Sequence, residues 1–383
     1  MKRHHILKRT FLSWLLVLTL TLACVERIEF DIPPARAQIV VEGTITNEPG
    51  PYTVRVSEGI SLDASSPEST PIEGLKIDLY DTEGAFEALT ETAPGTYQTG
   101  GFIQGEVGKS YYIRIETPDG KIYESTPDTI EPVGEVSNIT YEYEARTVEG
   151  LLEDLPADVF NVYADGNAGP KDQNFFRLRF TGTYEVLTFP ELNETRPPTY
   201  TPYKTPYPCS GYVVVGYNED GSIAAGGRLL QVDECTCCVC WAEQYEPAPQ
   251  LADNQLLLNN EYRNIKVGEV PINNATFYKK YLVELEQMSM SRTSFEYYKL
   301  IKLQKENASS LFQSTFGEII GNIKGVNTEE PIIGLFWATA IAKKHIFIDK
   351  SEVPYPLTPI EVKPFRCYDS YPNASTIKPE AWQ

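Results

Sequence analysis

The chain has 383 residues, with 33 Lys and Arg against 53 Asp and Glu, for a formal net charge of −20. That surface excludes nucleic acid as a partner, because phosphate binding relies on clustered basic side chains. Only three histidines are present, two of them at positions 4 and 5, so histidine-rich zinc sites and facial triads are excluded as well.

The N-terminus reads as an export signal. Lys2, Arg3, Lys8 and Arg9 form a basic head, and Phe11 to Leu22 form an apolar stretch. This stretch is too short to span a hydrocarbon core of roughly 30 Å as a helix. It closes on Thr21, Leu22, Ala23 and Cys24, which resembles the lipobox of bacterial lipoproteins although Thr21 stands where that motif usually has Leu. The resemblance implies removal of residues 1–23 and lipidation of Cys24; an ordinary secretory signal with a chance cysteine is the alternative. Cleavage leaves 360 of the 383 residues and takes four basic side chains away, so the net charge moves from −20 to −24. An anionic lipid surface would repel such a chain, and the acyl groups at Cys24 become its membrane anchor. Val25 rather than Asp follows the cysteine, and Glu26, Glu29 and Asp31 make residues 24–37 an acidic tether. Both features point to the outer membrane, with the tether favouring its exterior face.

From 38 to 132 the pattern is short strands and turns. "QIVVEGTIT", "YTVRVSEG", "LKIDLYD", "TYQTG", "KSYYIRIET" and "KIYESTP" alternate, with "NEPGP" and "PDG" between some of them. This spacing predicts an immunoglobulin-like β-sandwich. Residues 133–383 predict a larger, irregular antiparallel β domain with one packed helix. The helix is placed at about 294–307 by a capping box of Thr293 and Glu296 and by Tyr297, Leu300, Ile301 and Gln304 on one side. Three strands, "EIIGNIKG", "PIIGLFWATA" and "KHIFIDK", are expected after it in the same sheet. Residues 189–210, dense in Pro, Thr and Tyr, predict a long loop or arm carrying Tyr200, Tyr203 and Tyr207. These tyrosines are the candidate contacts for a ligand or partner, because Tyr gives large contact area at low entropy cost.

Chemistry-bearing residues are few. His345 is the one histidine of the mature chain, and its place in "AKKHIFID" suits the polar face of a strand. No G-x-S-x-G elbow accompanies it, and the abundance of carboxylates makes any acidic pair uninformative. The expectation is a protein without catalytic residues or cofactor. Six thiols remain besides Cys24: Cys209, Cys235, Cys237, Cys238, Cys240 and Cys367. An even number in an exported chain favours disulfides. Adjacent Cys237 and Cys238 should reach separate partners, leaving Cys209 and Cys367 to tie the arm and the tail to the 235–240 cluster. The spacing C-x-C-C-x-C has no loop between knuckles, so it is too crowded for one zinc and leaves Cu(I) or a cluster as the metal alternative.

Several segments together resemble a known family. These are "IVVEGTITNEPGPYTVRVS" (39–57), "PIEGLKIDLYDTEG" (71–84), "ETAPGTYQT" (91–99), "GEVGKSYYIRIETPDGKIYES" (105–125), "YYKLIKLQKENASSLFQSTFGEIIGNIKGVN" (297–327), "PIIGLFWATAIAKKHIFID" (331–349), and "CW" at Cys240 and Trp241. Their order is similar to that in DUF4249, a family of outer-membrane lipoproteins common in Bacteroidetes. The resemblance implies an accessory role beside TonB-dependent outer-membrane receptors and supplies no catalytic residues. Paired cysteines expected near the C-terminus are represented by Cys367 alone. The expectation is therefore a non-enzymatic accessory or binding lipoprotein of such a transporter. A structural or adhesive surface lipoprotein is the alternative, ahead of an extracellular hydrolase.

Overall fold

The computed structural model describes residues 38–59, 69–150, 155–170, 175–196, 198, 202–217, 223–307, 319, 321–357, 362–371 and 373–382. Cys24, Tyr200, the leader and the acidic tether lie outside these residues. So do residues 60–68; the described residues belong to one compact unit, Gln38–Gly59 with Ser69–Gln383. Among the described residues no helix is long and apolar enough to cross a membrane.

The first part supplies β1 (Ile39–Thr46), β2 (Thr53–Glu58), β3 (Lys76–Asp81), β4 (Phe86–Ala88) and β5 (Thr90–Ala93). It continues with β6 (Thr96–Gln98), β7 (Ser110–Glu116), β8 (Ile122–Ser125) and β9 (Asp128–Thr129). Alternation sets their faces. In β7, Tyr111, Ile113 and Ile115 are buried, whereas Tyr112, Arg114 and Glu116 point the other way. One sheet contains β1-β2-β6-β5, and a second contains β8-β7-β3-β4 with β9 on β7. Their inner faces share one core that includes Val41, Ile45, Val54, Leu79, Ile113 and Tyr123.

The second part begins with β10 (Val136–Glu144), β11 (Thr147–Val148), β12 (Leu155–Pro156), β13 (Val159–Asn167) and β14 (Phe175–Leu187). Then come β15 (Glu194–Thr195), β16 (Tyr203–Lys204), β17 (Tyr212–Tyr217), β18 (Ile223–Gln231), β19 (Val239–Tyr245) and β20 (Gln250–Asp253). It closes with β21 (Glu261–Pro271), β22 (Lys280–Met290) and helix α1 (Arg292–Asn307). After the helix come β23 (Ile323–Gly325), β24 (Ile332–Thr339), β25 (Ile341–Asp349), the helical turn α2 (Cys367–Ser370) and β26 (Ala374–Ser375). A three-stranded sheet β10-β13-β21 faces a six-stranded sheet β25-β22-β14-β19-β26, with β20 also on β14. Phe160, Phe180, Phe277, Tyr281 and Leu285 lie in the core they share. Its polar members are paired: fully buried Gln287 accepts from the Tyr262 hydroxyl at 2.8 Å and donates to the Asn167 carbonyl at 2.8 Å.

The chain is thus mainly β, with antiparallel sheets and one substantial helix, as the sequence indicates. Strand assignment after the helix differs from expectation. β24 does not join the second sheets; it pairs in parallel with β1, from Ile39 opposite Ile332 to Thr46 opposite Thr339. β23 pairs with β8, so only β25 of the three strands extends the sheet of β22. The first pair of sheets therefore reaches beyond 38–132 and takes in residues from 323 to 339. The physical reason is visible in "IIGLFWAT", where both faces of the strand find apolar cover. Phe336 and Ala338 enter the first core, while Leu335 and Trp337 enter a third cluster with Phe175, Met288, Met290 and Phe295. Gly334 has φ +128° where β24 meets β1, and a Cβ there would collide with the Val41 carbonyl.

The helix packs on this third cluster. Phe175 stacks on Phe295 with centroids 4.6 Å apart, and Tyr298 meets Trp337 edge-on at 5.5 Å. It starts two residues earlier than the sequence signal placed it. Ser291 Oγ accepts from the Ser294 amide at 3.2 Å, so the cap is Ser291 and not Thr293.

Candidate functional site

Six cysteines converge where the arm, the 235–240 run and the C-terminal tail meet. Cys209 bonds Cys237, Cys235 bonds Cys238, and Cys240 bonds Cys367, each with Cα atoms 5.7 Å apart. Adjacent Cys237 and Cys238 take different partners, and the distant Cys209 and Cys367 both end in the cluster. All six cysteines are used in these three bonds. Cys237, Cys240 and Cys367 are buried, whereas Cys209, Cys235 and Cys238 are half-buried.

The cluster is seated on the main sheet. β19 pairs with β14 from Val239 to Tyr245, placing Cys240 opposite Val186. Val186, Ala242 and the Cys240–Cys367 bridge form a small apolar cluster against Tyr184, Tyr371 and Ala374. Burial pushes the phenols of Tyr184 and Tyr371 above their ordinary pKa, so both stay neutral. Backbone bonds lock the segments together: Thr236 N to the Cys209 carbonyl at 2.9 Å, and Cys367 N to the Cys237 carbonyl at 3.0 Å.

From this base projects a two-stranded hairpin, β17 with β18. Its register pairs Tyr212 with Gln231, Val213 with Leu230, Val214 with Leu229 and Val215 with Arg228. The Cys209–Cys237 bond closes the hairpin at its root. Gly211 makes the entry turn with φ +73°, where a Cβ would strike the Asp233 carbonyl. One face carries Val213, Val215, Leu230 and Val232, exposed by 41, 38, 51 and 61 %, with exposed Arg228 beside them opposite Val215. Val214 on the other face is buried. Asp233 and Glu234 are exposed at the base.

The arm is more ordered than its composition predicts. Residues 194–195 and 203–204 pair as β15 and β16, and 3-10 turns occur at Pro190–Leu192 and Pro208–Ser210. Tyr203 is exposed on this small hairpin. Tyr207 is half-buried and already engaged, because the Arg366 guanidinium lies 5.2 Å from its ring and 5.0 Å from that of Tyr368. The structure therefore separates the candidate tyrosines: Tyr203 faces solvent, Tyr207 helps hold the tail, and Tyr200 lies outside the described residues. His345 is exposed on β25 beside Phe347.

The apolar row was missed in sequence reasoning. Its signal is present in "YVVVGYNEDGSIAAGGRLLQV", where two runs with Arg228 as their one charge flank Glu219-Asp220-Gly221. Chemically the knob offers rigid apolar contact area and a strand edge.

The model of the family described as Domain of unknown function (DUF4249) matches residues 25–345. The chain belongs to this family. The DUF4249 match begins one residue after Cys24 and contains the hairpin and five of the six bonded cysteines. It ends before Cys367, so the bridge from Cys240 ties the DUF4249 region to a tail outside the match. No curated protein matches the chain.

Proposed function

We propose that this DUF4249 protein is a lipid-anchored, outer-membrane accessory subunit of a TonB-dependent transporter and that it binds without catalysing. The observation that carries the reading is the row Val213, Val215, Leu230 and Val232, held out on a hairpin whose root is a disulfide. A contiguous exposed apolar surface on a rigid support is what a protein partner buries. The leader ending in Cys24 supports lipidation, and the acidic tether supports display on the exterior face. The arm with Tyr203 provides the rim of the contact.

Two experiments test this. Affinity purification of the tagged chain in mild detergent should recover one TonB-dependent barrel, through an interface of at least ~1,000 Å² if it is specific. Replacing Val213 and Leu230 together by Lys should remove that barrel while leaving the protein folded. Recovery of the unaltered chain alone, with the barrel present in the same membranes, refutes the role. Cys24→Ala should leave an unprocessed or soluble chain; a variant that still carries acyl groups and fractionates with the outer membrane refutes the anchor.

A further inference from the structure

The hairpin has a second unsatisfied feature besides its apolar face. β17 and β18 form a sheet of their own, so each has an outer edge without a strand partner among the described residues. In an antiparallel pair alternate residues turn N–H and C=O away from the neighbour, leaving a row of donors and acceptors. Elsewhere this protein closes or protects such edges. The outer edge of β24 is equally uncharged, yet polar side chains occupy it: Asn322 bonds both backbone groups of Phe336, at 3.0 and 2.7 Å. Asp128 takes the Ala338 amide at 2.9 Å, and Ser289 takes that of Ala340 at 2.9 Å. The edge strand β21 carries Arg263, Lys266 and Glu269 and is broken by Asn264 at φ +51°.

β17 shares only the last of these, Gly216 at φ +92° where the register shifts between Val215 and Tyr217, and Tyr212–Val215 before it is a regular, unprotected edge. From Ser210 to Tyr217 there is no charged residue and no proline, and three consecutive valines give it high strand propensity. Among the described residues the only side chain bonded to an amide of this edge is Ser210, whose Oγ accepts from Tyr212 at 3.2 Å.

We infer that the regular Tyr212–Val215 edge is a strand-addition site, onto which the partner places an extended segment as a third strand. This rests on the binding role proposed above and names how the partner is held. Main-chain bonds supply affinity, and the row of Val213 and Val215 selects a segment that is apolar at alternate positions. Charge decides the occupant. Asp233 and Glu234 stand exposed at the hairpin root and outweigh Arg228 on β18, and the chain without its basic leader carries a formal charge of −24. A second copy would bring the same acidity, whereas a segment of the barrel with basic residues at its ends is attracted.

Amide hydrogen exchange resolved to single residues tests this on the full-length lipoprotein, free and in complex with the copurified barrel. Alternate amides within 212–215 should slow by at least about tenfold on binding, while those between them change little. A bound barrel with no change, or with uniform slowing, overturns strand addition and leaves the accessory role standing. Slowing that appears without the barrel as the lipoprotein is concentrated assigns the edge to a second copy and overturns the proposal. If no barrel copurifies, the same measurement with the synthetic peptide Lys-Val-Thr-Val-Thr-Val-Lys decides. Alternating protection then supports the edge independently, and its absence refutes it.

Discussion

The first core and the cysteine knob are both built from short strands, but different physics holds them. Around Val41, Ile113 and Phe336 two sheets bury large side chains against each other, and no disulfide is present there among the described residues. Around Cys237 and Cys240 the apolar cluster is small, and the projecting hairpin leaves apolar side chains in water. Covalent closure replaces burial where burial is scarce. An exposed hairpin can thus be held without a core of its own, because the disulfide restricts its unfolded alternatives.

The contrast is broken most severely at β24. Trp337→Ala or Phe336→Ala should cost about 3–5 kcal/mol, since each removes a fully enclosed aromatic ring. Urea unfolding should show one cooperative loss, because the strand serves the first core with Phe336 and the helix cluster with Trp337. Two separated transitions in Trp337→Ala would mean that the regions are not coupled through this strand.

Replacing Cys209 and Cys237 by Ser should have the next largest effect, about 2–4 kcal/mol, confined to the hairpin. Exchange of amides at 212–217 should accelerate while those of β7 stay protected. Equal acceleration in both would show that the knob supports the whole fold.

Acidity sharpens the comparison further. Asp158, in the second part, accepts from the hydroxyls of Tyr355 at 2.6 Å and Tyr143 at 2.8 Å and from the Arg146 amide at 2.8 Å. The Tyr355 bond leads the causes that hold its carboxyl below the ordinary pKa. Its contribution is therefore present above the ordinary carboxylate range and is lost as pH falls through the lowered value. Asp128, against β24, is shifted upward, chiefly by burial and despite bonds from Ser291, Ala338 and Thr129. The folded state there favours the proton, so stability declines as pH rises from the ordinary value toward the raised one. Asp158→Asn should flatten the acid limb of stability against pH, and Asp128→Asn should flatten the decline above it. Slopes of the same sign for both sites would refute this assignment.

Smallest of all, Val213→Lys should change global stability by less than about 0.5 kcal/mol, since the side chain already faces water. A larger loss would mean that the row is packed in the native protein.

How much of this the sequence reveals depends on whether the deciding contact is local. The faces of β7 follow from period-two alternation, and the helix from a 3.6-residue spacing, because both patterns lie within a dozen residues. "IIGLFWAT" announces a strand covered on both sides, but nothing in it names β1 as the neighbour. The cysteine pairing is constrained by count and adjacency, yet only the meeting of β19 with the tail selects Cys240 for Cys367. The hairpin is hard to read for a different reason: apart from Arg228 its outward face is apolar, so the usual contrast between wet and dry faces is weak.

The parallel pairing of β1 with β24 has a consequence for biogenesis. A polypeptide emerges from its N-terminus, so β1 and its neighbours appear long before the residues that complete their sheet. Until Ile332–Thr339 arrive, the flank of β1 is open and the Phe336 place in the core is empty. The early half is then an unfinished sheet whose open edge and incomplete core favour aggregation until the closing strand arrives. Completion near the end of synthesis makes the native state a check on full length: chains ending before 332 lack the closing strand and stay open to proteolysis.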